Sequence, residues 1–303
     1  MIATRNKRKR TGRLWRFAGL CAIALFLVAL VSADAQRRGR GRGRGRSFDD
    51  PNVDPEITRE QEEMEKAIDP AFSSDVFTFA RLRFNNYERG WGFGNGRTWG
   101  DDAPQADWLL TYRLFQVSSL KIDPGVHFID ITPKDIAKYP FTYIAGAGRL
   151  VLTDEEAESL RKHLLNGGFL MVDDFWGDTQ WEHFYEQIKR VFPDREPVEL
   201  TLDHPIFHSV FDFKQEPQTP SVFTYIQYGG RSYDPADYGA KSHEPHFYAI
   251  FDDKQRIMAL ICHNNHFGDG WEHETEDEGY FDKYSEPMAY SMFVNILVYT
   301  MAH

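Results

Sequence analysis

The sequence predicts an α/β domain of three layers, built on a mainly parallel sheet and finished by a C-terminal hairpin and helix. Two short runs, Phe141 to Ala145 and Phe169 to Val172, are apolar without alternation, the pattern of parallel strands covered on both faces. The span between them reads as a crossover helix. Thr153 and Glu156 form a capping box, Ala157, Leu160 and Leu164 share one face, and Gly167 supplies a left-handed stop. Around this unit the order is strand, helix, strand, strand, helix, strand, helix, which favours a wound α/β sheet.

The chain starts differently. Seven Lys and Arg precede Phe17 to Val31, a fifteen-residue apolar run followed by Ser32-Ala33-Asp34-Ala35. Residues 1–35 therefore read as a secretory signal cut after Ala35, which makes the protein periplasmic or extracellular. The alternative is a membrane anchor formed by residues 17–31, although a span normally needs about 20 apolar residues. Residues 36–74 read as a linker. Arg37 to Arg46 alternates Arg with Gly, a basic segment suited to contact with an anionic membrane surface or envelope polymer. An acidic stretch follows, in which Glu56 to Ile68 suits a charged helix.

Charge separates these parts sharply. Residues 1–46 hold thirteen of the 35 Lys and Arg but one of the 46 acids, so the rest carries 22 basic against 45 acidic residues, a net of −23. Nucleic acid is excluded as a partner, because its binding depends on phosphate neutralisation. Cys21 lies in the apolar leader and Cys262 stands alone, so cysteine spacing implies no disulfide framework.

The domain proper is expected over residues 75–303. Val76 to Phe84 alternates as a strand, with Phe77, Phe79, Arg81 and Arg83 on one face. Gly90 to Gly100 is glycine-rich and aromatic, a candidate lid or partner-binding loop holding Trp91, Phe93 and Trp99. Pro104 to Val117 has helical spacing, Val126 to Ile131 reads as a strand, and Asp178 caps a helix ending at Pro193. Residues 212–245 show no period. His246 to Phe251 and Ile257 to Cys262 form a hairpin, and Glu286 to Met301 a buried helix.

The runs YPFTYIAGAG at 139–148, LRKHLLNGGFLMVDD at 160–174, DHPIF at 203–207 and ICHNNHFGDGWE at 261–272 together resemble the bacterial domain of unknown function 4159. The resemblance spans roughly residues 75–303 and implies a core like that of class I glutamine amidotransferases, with flavodoxin-like winding as the related form. It implies no activity. An amidotransferase nucleophile would be a cysteine on a sharp strand-to-helix turn. Here that turn is Gly146-Ala147-Gly148-Arg149, with neither thiol nor hydroxyl, while Cys262 sits in an apolar strand like an inert core thiol.

In open α/β sheets, ligands bind beyond the carboxyl ends of the strands. Asp173 and Asp174 stand at such an end, and their side chains are expected to diverge, one to the crevice and one aside. Asn85, Asn86, Asp173, Asp174, Trp176, Asn264 and Asn265 are the expected lining of a noncatalytic site for a polar small molecule or envelope component. No cofactor is then needed. The alternative is a metal-assisted hydrolase in which Asp173, Asp174, His263 and His266 hold zinc or another divalent ion. Gly268 and Gly270 argue against a helix beside these histidines.

Overall fold

The computed structural model describes residues 55–72, 75–86, 98–234 and 242–303. The leader, the Arg/Gly segment and most of the glycine-rich loop, including Trp91 and Phe93, lie outside the described residues. Helix α1 (Pro55–Lys66) precedes the domain. There follow β1 (Ala80–Arg83), β2 (Asn85–Asn86), α2 (Gln105–Val117), β3 (His127–Asp130), α3 (Pro133–Ile136), β4 (Phe141–Ile144) and β5 (Leu150–Val151). Then come α4 (Asp154–Leu165), β6 (Phe169–Val172), α5 (Gly177–Val191), β7 (Val198–Glu199) and α6 (Val222–Gln227). The chain closes with β8 (His246–Phe251), β9 (Ile257–His263), α7 (Phe267–Glu272), α8 (Glu278–Tyr280), a π-helical stretch at Phe281–Tyr290, and α9 (Ser291–Ala302).

Seven strands form one mixed, mostly parallel sheet in the order β3-β1-β4-β6-β9-β8-β7. The first five are parallel; β8 runs antiparallel to β9, and β7 antiparallel to β8. The winding reverses between β1 and β4, which creates a crevice at their carboxyl ends. Alternate residues of the central strands feed two cores. Phe169 and Met171 join Trp108 and Leu110 of α2 and Phe293 and Ile296 of α9. Leu170 and Val172 join Leu160 and Leu164 of α4 and Phe184 and Ile188 of α5. Helices thus cover both faces, the reason these strands tolerate no polar alternation.

The crossover helix α4 forms as its sequence dictates. Thr153 Oγ1 accepts from Glu156 N at 3.1 Å while Glu156 Oε2 accepts from Thr153 N at 2.8 Å, and Gly167 leaves the helix at φ 104°. One cap differs from expectation. Asp178 lies inside the first turn of α5, and the N-cap position is Trp176, whose N–H is taken by Gln180 Oε1 at 2.9 Å. The C-terminal helix is preceded by wider turns around Pro287, which has no N–H to give to a regular α-helical bond. Phe293 of α9 meets Phe77, Phe79, Phe141 and Trp271 edge to face, at centroid distances of 5.5 to 6.4 Å. Among the described residues no helix is long and apolar enough to cross a membrane.

A buried arginine anchors the crevice end of β1. Arg81 is fully buried; its Nη2 lies 2.7 Å from Asp107 Oδ2 on α2, and its Nη1 donates to the carbonyls of Trp99 and Asp101 at 3.1 and 2.7 Å. Removing one partner of such a pair leaves an uncompensated charge in the core. Arg81→Met is therefore expected to cost about 3–5 kcal/mol in urea unfolding, and Arg81→Met combined with Asp107→Leu distinctly less.

Candidate functional site

Three strand ends and one loop build the site. After β6 the chain passes through Asp173 and Asp174, and after β9 through His263, Asn264, Asn265 and His266. The two exits are zipped together: Asp174 N donates to Asn265 O at 3.1 Å and Asn264 N to Phe175 O at 3.0 Å. Both turn sharply through left-handed residues, Asp174 at φ 56° and Asn264 at φ 58°. Asp102, on the loop held by Arg81, is left-handed too, at φ 61°. Asp and Asn tolerate this region better than most residues, but it remains costly and tends to gather at functional sites.

His266 is the centre. Its Nε2 lies 2.7 Å from Asp102 Oδ2 and its Nδ1 lies 3.6 Å from Asp174 Oδ1. Asp173 Oδ2 accepts from the Tyr143 hydroxyl at 3.1 Å and from Gly268 N at 3.0 Å, while its Oδ1 is buried without a partner. Asp269, on α7, accepts from Val222 N and from the Tyr280 hydroxyl through Oδ2, and its Oδ1 lies 3.5 Å from His273 Nε2. One donor atom from each of Asp102, His266 and Asp269 can be chosen so that all lie within 4.8 Å of one another, a set able to hold a metal ion.

The electrostatics follow from burial. Desolvation pushes Asp173 up to about 6 and Asp269 up to about 7, and raises Asp174 well above the carboxylate range. Asp102 goes the other way: burial would raise it, but the neighbouring His266 imidazolium and its hydrogen bond hold it at about 2. Burial likewise opposes a charge on His266, yet Asp102, Asp174 and Asp269 outweigh it and raise the imidazole well above its ordinary value.

The structure brings some expected residues together and separates others. Asp173, Asp174 and His266 meet. The two aspartates take different partners: Asp173 is fully buried on the Tyr143 hydroxyl and Gly268 N of α7, while Asp174, past the strand end at φ 56°, turns its carboxylate toward His266. His263 points elsewhere, its Nε2 on Gly177 O at 3.1 Å and its ring against Phe175 and Trp181; burial lowers it to about 4. Asn264 and Asn265 act as ties, with Asn264 Oδ1 accepting from Gly177 N at 2.8 Å and Asn265 Oδ1 from Thr219 N at 3.0 Å. Trp176 is buried. Asn85 and Asn86 form β2 and pair with β5 in a separate two-stranded ladder.

Asp102 and the anchoring role of Arg81 escaped the sequence reading. An arginine on the inward face of a strand, beside Phe77 and Phe79, was the available signal, since buried charges require partners. Gly268 and Gly270 also read differently in place: they lie within helix α7, where their missing side chains permit close approach. A Cβ on Gly268 would stand 2.6 Å from Asp102 Oδ2 and 3.1 Å from the Tyr143 hydroxyl; one on Gly270 would stand 2.7 Å from Ala289 Cβ.

Two outcomes follow. Gly268→Ala is expected to push Asp102 off His266, so the imidazole should titrate closer to about 6.5 in histidine-resolved NMR. Asp173 supplies a stability slope. With its folded value at about 6 against an ordinary aspartate value of 3.8, ionising it costs the folded state, so this contribution falls as pH rises from about 4 to about 6. Asp173→Asn removes that loss, and its stability relative to the wild type should increase across the same window by at most about 3 kcal/mol in urea titrations.

The chain belongs to the family described as domain of unknown function 4159 (DUF4159), which matches residues 78–301. A search of curated proteins finds none that matches it.

Proposed function

We propose that this member of the domain of unknown function 4159 family is a ligand-binding domain that takes a polar ligand of positive character at the carboxyl edge of its sheet. The carrying observation is that Asp102, Asp174 and Asp269 gather about His266 near the buried Asp173, with Asp173 Oδ1 and His266 Nδ1 left without hydrogen-bond partners. A fold that needed these side chains only for its own stability would pair or neutralise them.

Two further features support the reading. The parallel strands follow the flavodoxin-like order 2-1-3-4-5 when numbered among themselves, and the cluster lies beyond their carboxyl ends, where such folds bind ligands. The amidotransferase-like core implied by the resemblance would come without its chemistry: the turn after β4 offers no nucleophile, and Cys262 is fully buried, its thiol pushed up by desolvation and by Asp173. Binding, rather than acyl transfer, is the function this arrangement suits. With the leader read as an export signal, the ligand is one met outside the cytoplasm.

A carboxylate kept for a ligand costs stability while the ligand is absent; one kept for the fold contributes stability. Asp174→Asn preserves shape and tolerance of the left-handed backbone but removes the charge. At pH 7.5, without added ligand, it is expected to raise the melting temperature by about 2–6 °C, from a gain of about 1–2 kcal/mol. A lowered melting temperature would count against a binding role for the cluster.

A further inference from the structure

We propose that the ligand is a divalent cation, bound by Asp102, His266 and Asp269. This rests on the binding reading above and gives it a chemical class. Two parts of the chain bring the three residues together: Asp102 from the loop held by Arg81, and His266 and Asp269, three positions apart, from the N-cap and first turn of α7. Their side chains are 8%, 11% and 7% exposed, so the donors are largely desolvated. His266 Nε2 and Asp102 Oδ2 stand 2.7 Å apart. Two donors each about 2.1 Å from one ion, at a right angle, stand about 3.0 Å apart, so this pair would accept an ion after a shift of a few tenths of an ångström, and a carboxylate oxygen of Asp269 lies within 4.8 Å of a donor atom of each.

Two observations outside the ligand set point the same way. When one imidazole nitrogen holds a metal, the other normally donates to a carboxylate that fixes the ring. His266 Nδ1 makes no hydrogen bond, and Asp174 Oδ1 waits 3.6 Å from it, in the position of that second partner. Asp173 is fully buried, with its Oδ1 unpartnered while its Oδ2 accepts from Gly268 N of α7. The permanent cation nearest the cluster, Arg81, is already bound to Asp107. The positive charge among the remaining carboxylates comes from two histidines, His266 between Asp102 and Asp174 and His273 beside Asp269.

One imidazole and two carboxylates form a donor set for manganese, zinc or a similar first-row ion rather than for calcium, which favours an all-oxygen cage. Three protein ligands also leave coordination positions to water or to a ligand from solution, the arrangement of open rather than purely structural metal sites. Asp174 is a positioning residue in this scheme and is not a ligand.

The test uses the full chain, freed of metal with EDTA and titrated with MnCl2 and separately with ZnCl2. Calorimetry should give one site, and binding should quench the six-line electron paramagnetic resonance of free Mn2+. Asp102→Asn and His266→Gln should each weaken Mn2+ at least tenfold, Asp174→Asn by less, and Asp101→Asn by under twofold. Because a site variant could unfold, each is first compared with the wild type by circular dichroism, and Gly268→Ala serves as a second route to displacing Asp102. Absence of saturable binding of either ion by the wild type overturns the proposal, as does binding that survives Asp102→Asn and His266→Gln unchanged. If Asp174→Asn still raises the melting temperature while neither ion binds, the binding reading stands and the ligand is an organic cation. If Asp174→Asn lowers the melting temperature, the binding reading itself fails.

Discussion

The ion pair of Arg81 with Asp107 is the constraint on which the crevice depends. Taking a guanidinium out of water is expensive unless its donors are matched. Here the fork is shared between the Asp107 carboxylate and the carbonyls of Trp99 and Asp101, and the guanidinium carbon sits 4.9 Å from the Tyr143 ring centroid. The first contact ties β1 to α2. The next two hold the loop that ends in Asp102, and the last meets the tyrosine that donates to Asp173. One side chain therefore couples the switch point of the sheet to two of the aspartates facing the crevice. Its own charge is consumed in doing so, and those aspartates gain little from it.

Much of the frame was legible because local and global preferences agree. The capping box of α4, the stop at Gly167 and the uniform apolarity of β4 and β6 each determine structure within a few residues, and tertiary packing confirms them. The hairpin of β8 and β9 was legible for the same reason. Where readings departed, a long-range contact had replaced a local rule. Gly268 and Gly270 look like helix breakers until Asp102, 166 positions before Gly268, and Ala289 claim the space beside them. Alternation along β6 stops at Asp174 because hydrogen bonds with the exit of β9 turn the chain there.

The site was half legible. Its strand-borne part, Asp173 and Asp174, could be placed from sequence because an acidic pair ended an apolar strand. Asp102 could not, since it follows a glycine-rich loop with no periodicity and its partner His266 lies 164 positions away. His263 and His266 looked equivalent as a pair three apart. The turn at Asn264 separates them, sending one ring against Phe175 and Trp181 and the other among carboxylates.

The polar groups at the carboxyl edge divide by charge, and the division bears on what the crevice is for. The amides do the tying. Asn264 accepts from Gly177 and donates to Glu244 O at 2.7 Å, and Asn265 accepts from Thr219. Neutral side chains serve well here, because they satisfy buried backbone groups without the desolvation cost of an ion. The same fold thus has an inexpensive means of closing its loops and uses it repeatedly. Carboxylates remain where that means was equally available, around His266, and there burial raises Asp173, Asp174 and Asp269 against ionisation. Asp173 and Asp269 also accept from Gly268 N and Val222 N, bonds that a neutral amide could make, so loop closure does not by itself require their charge.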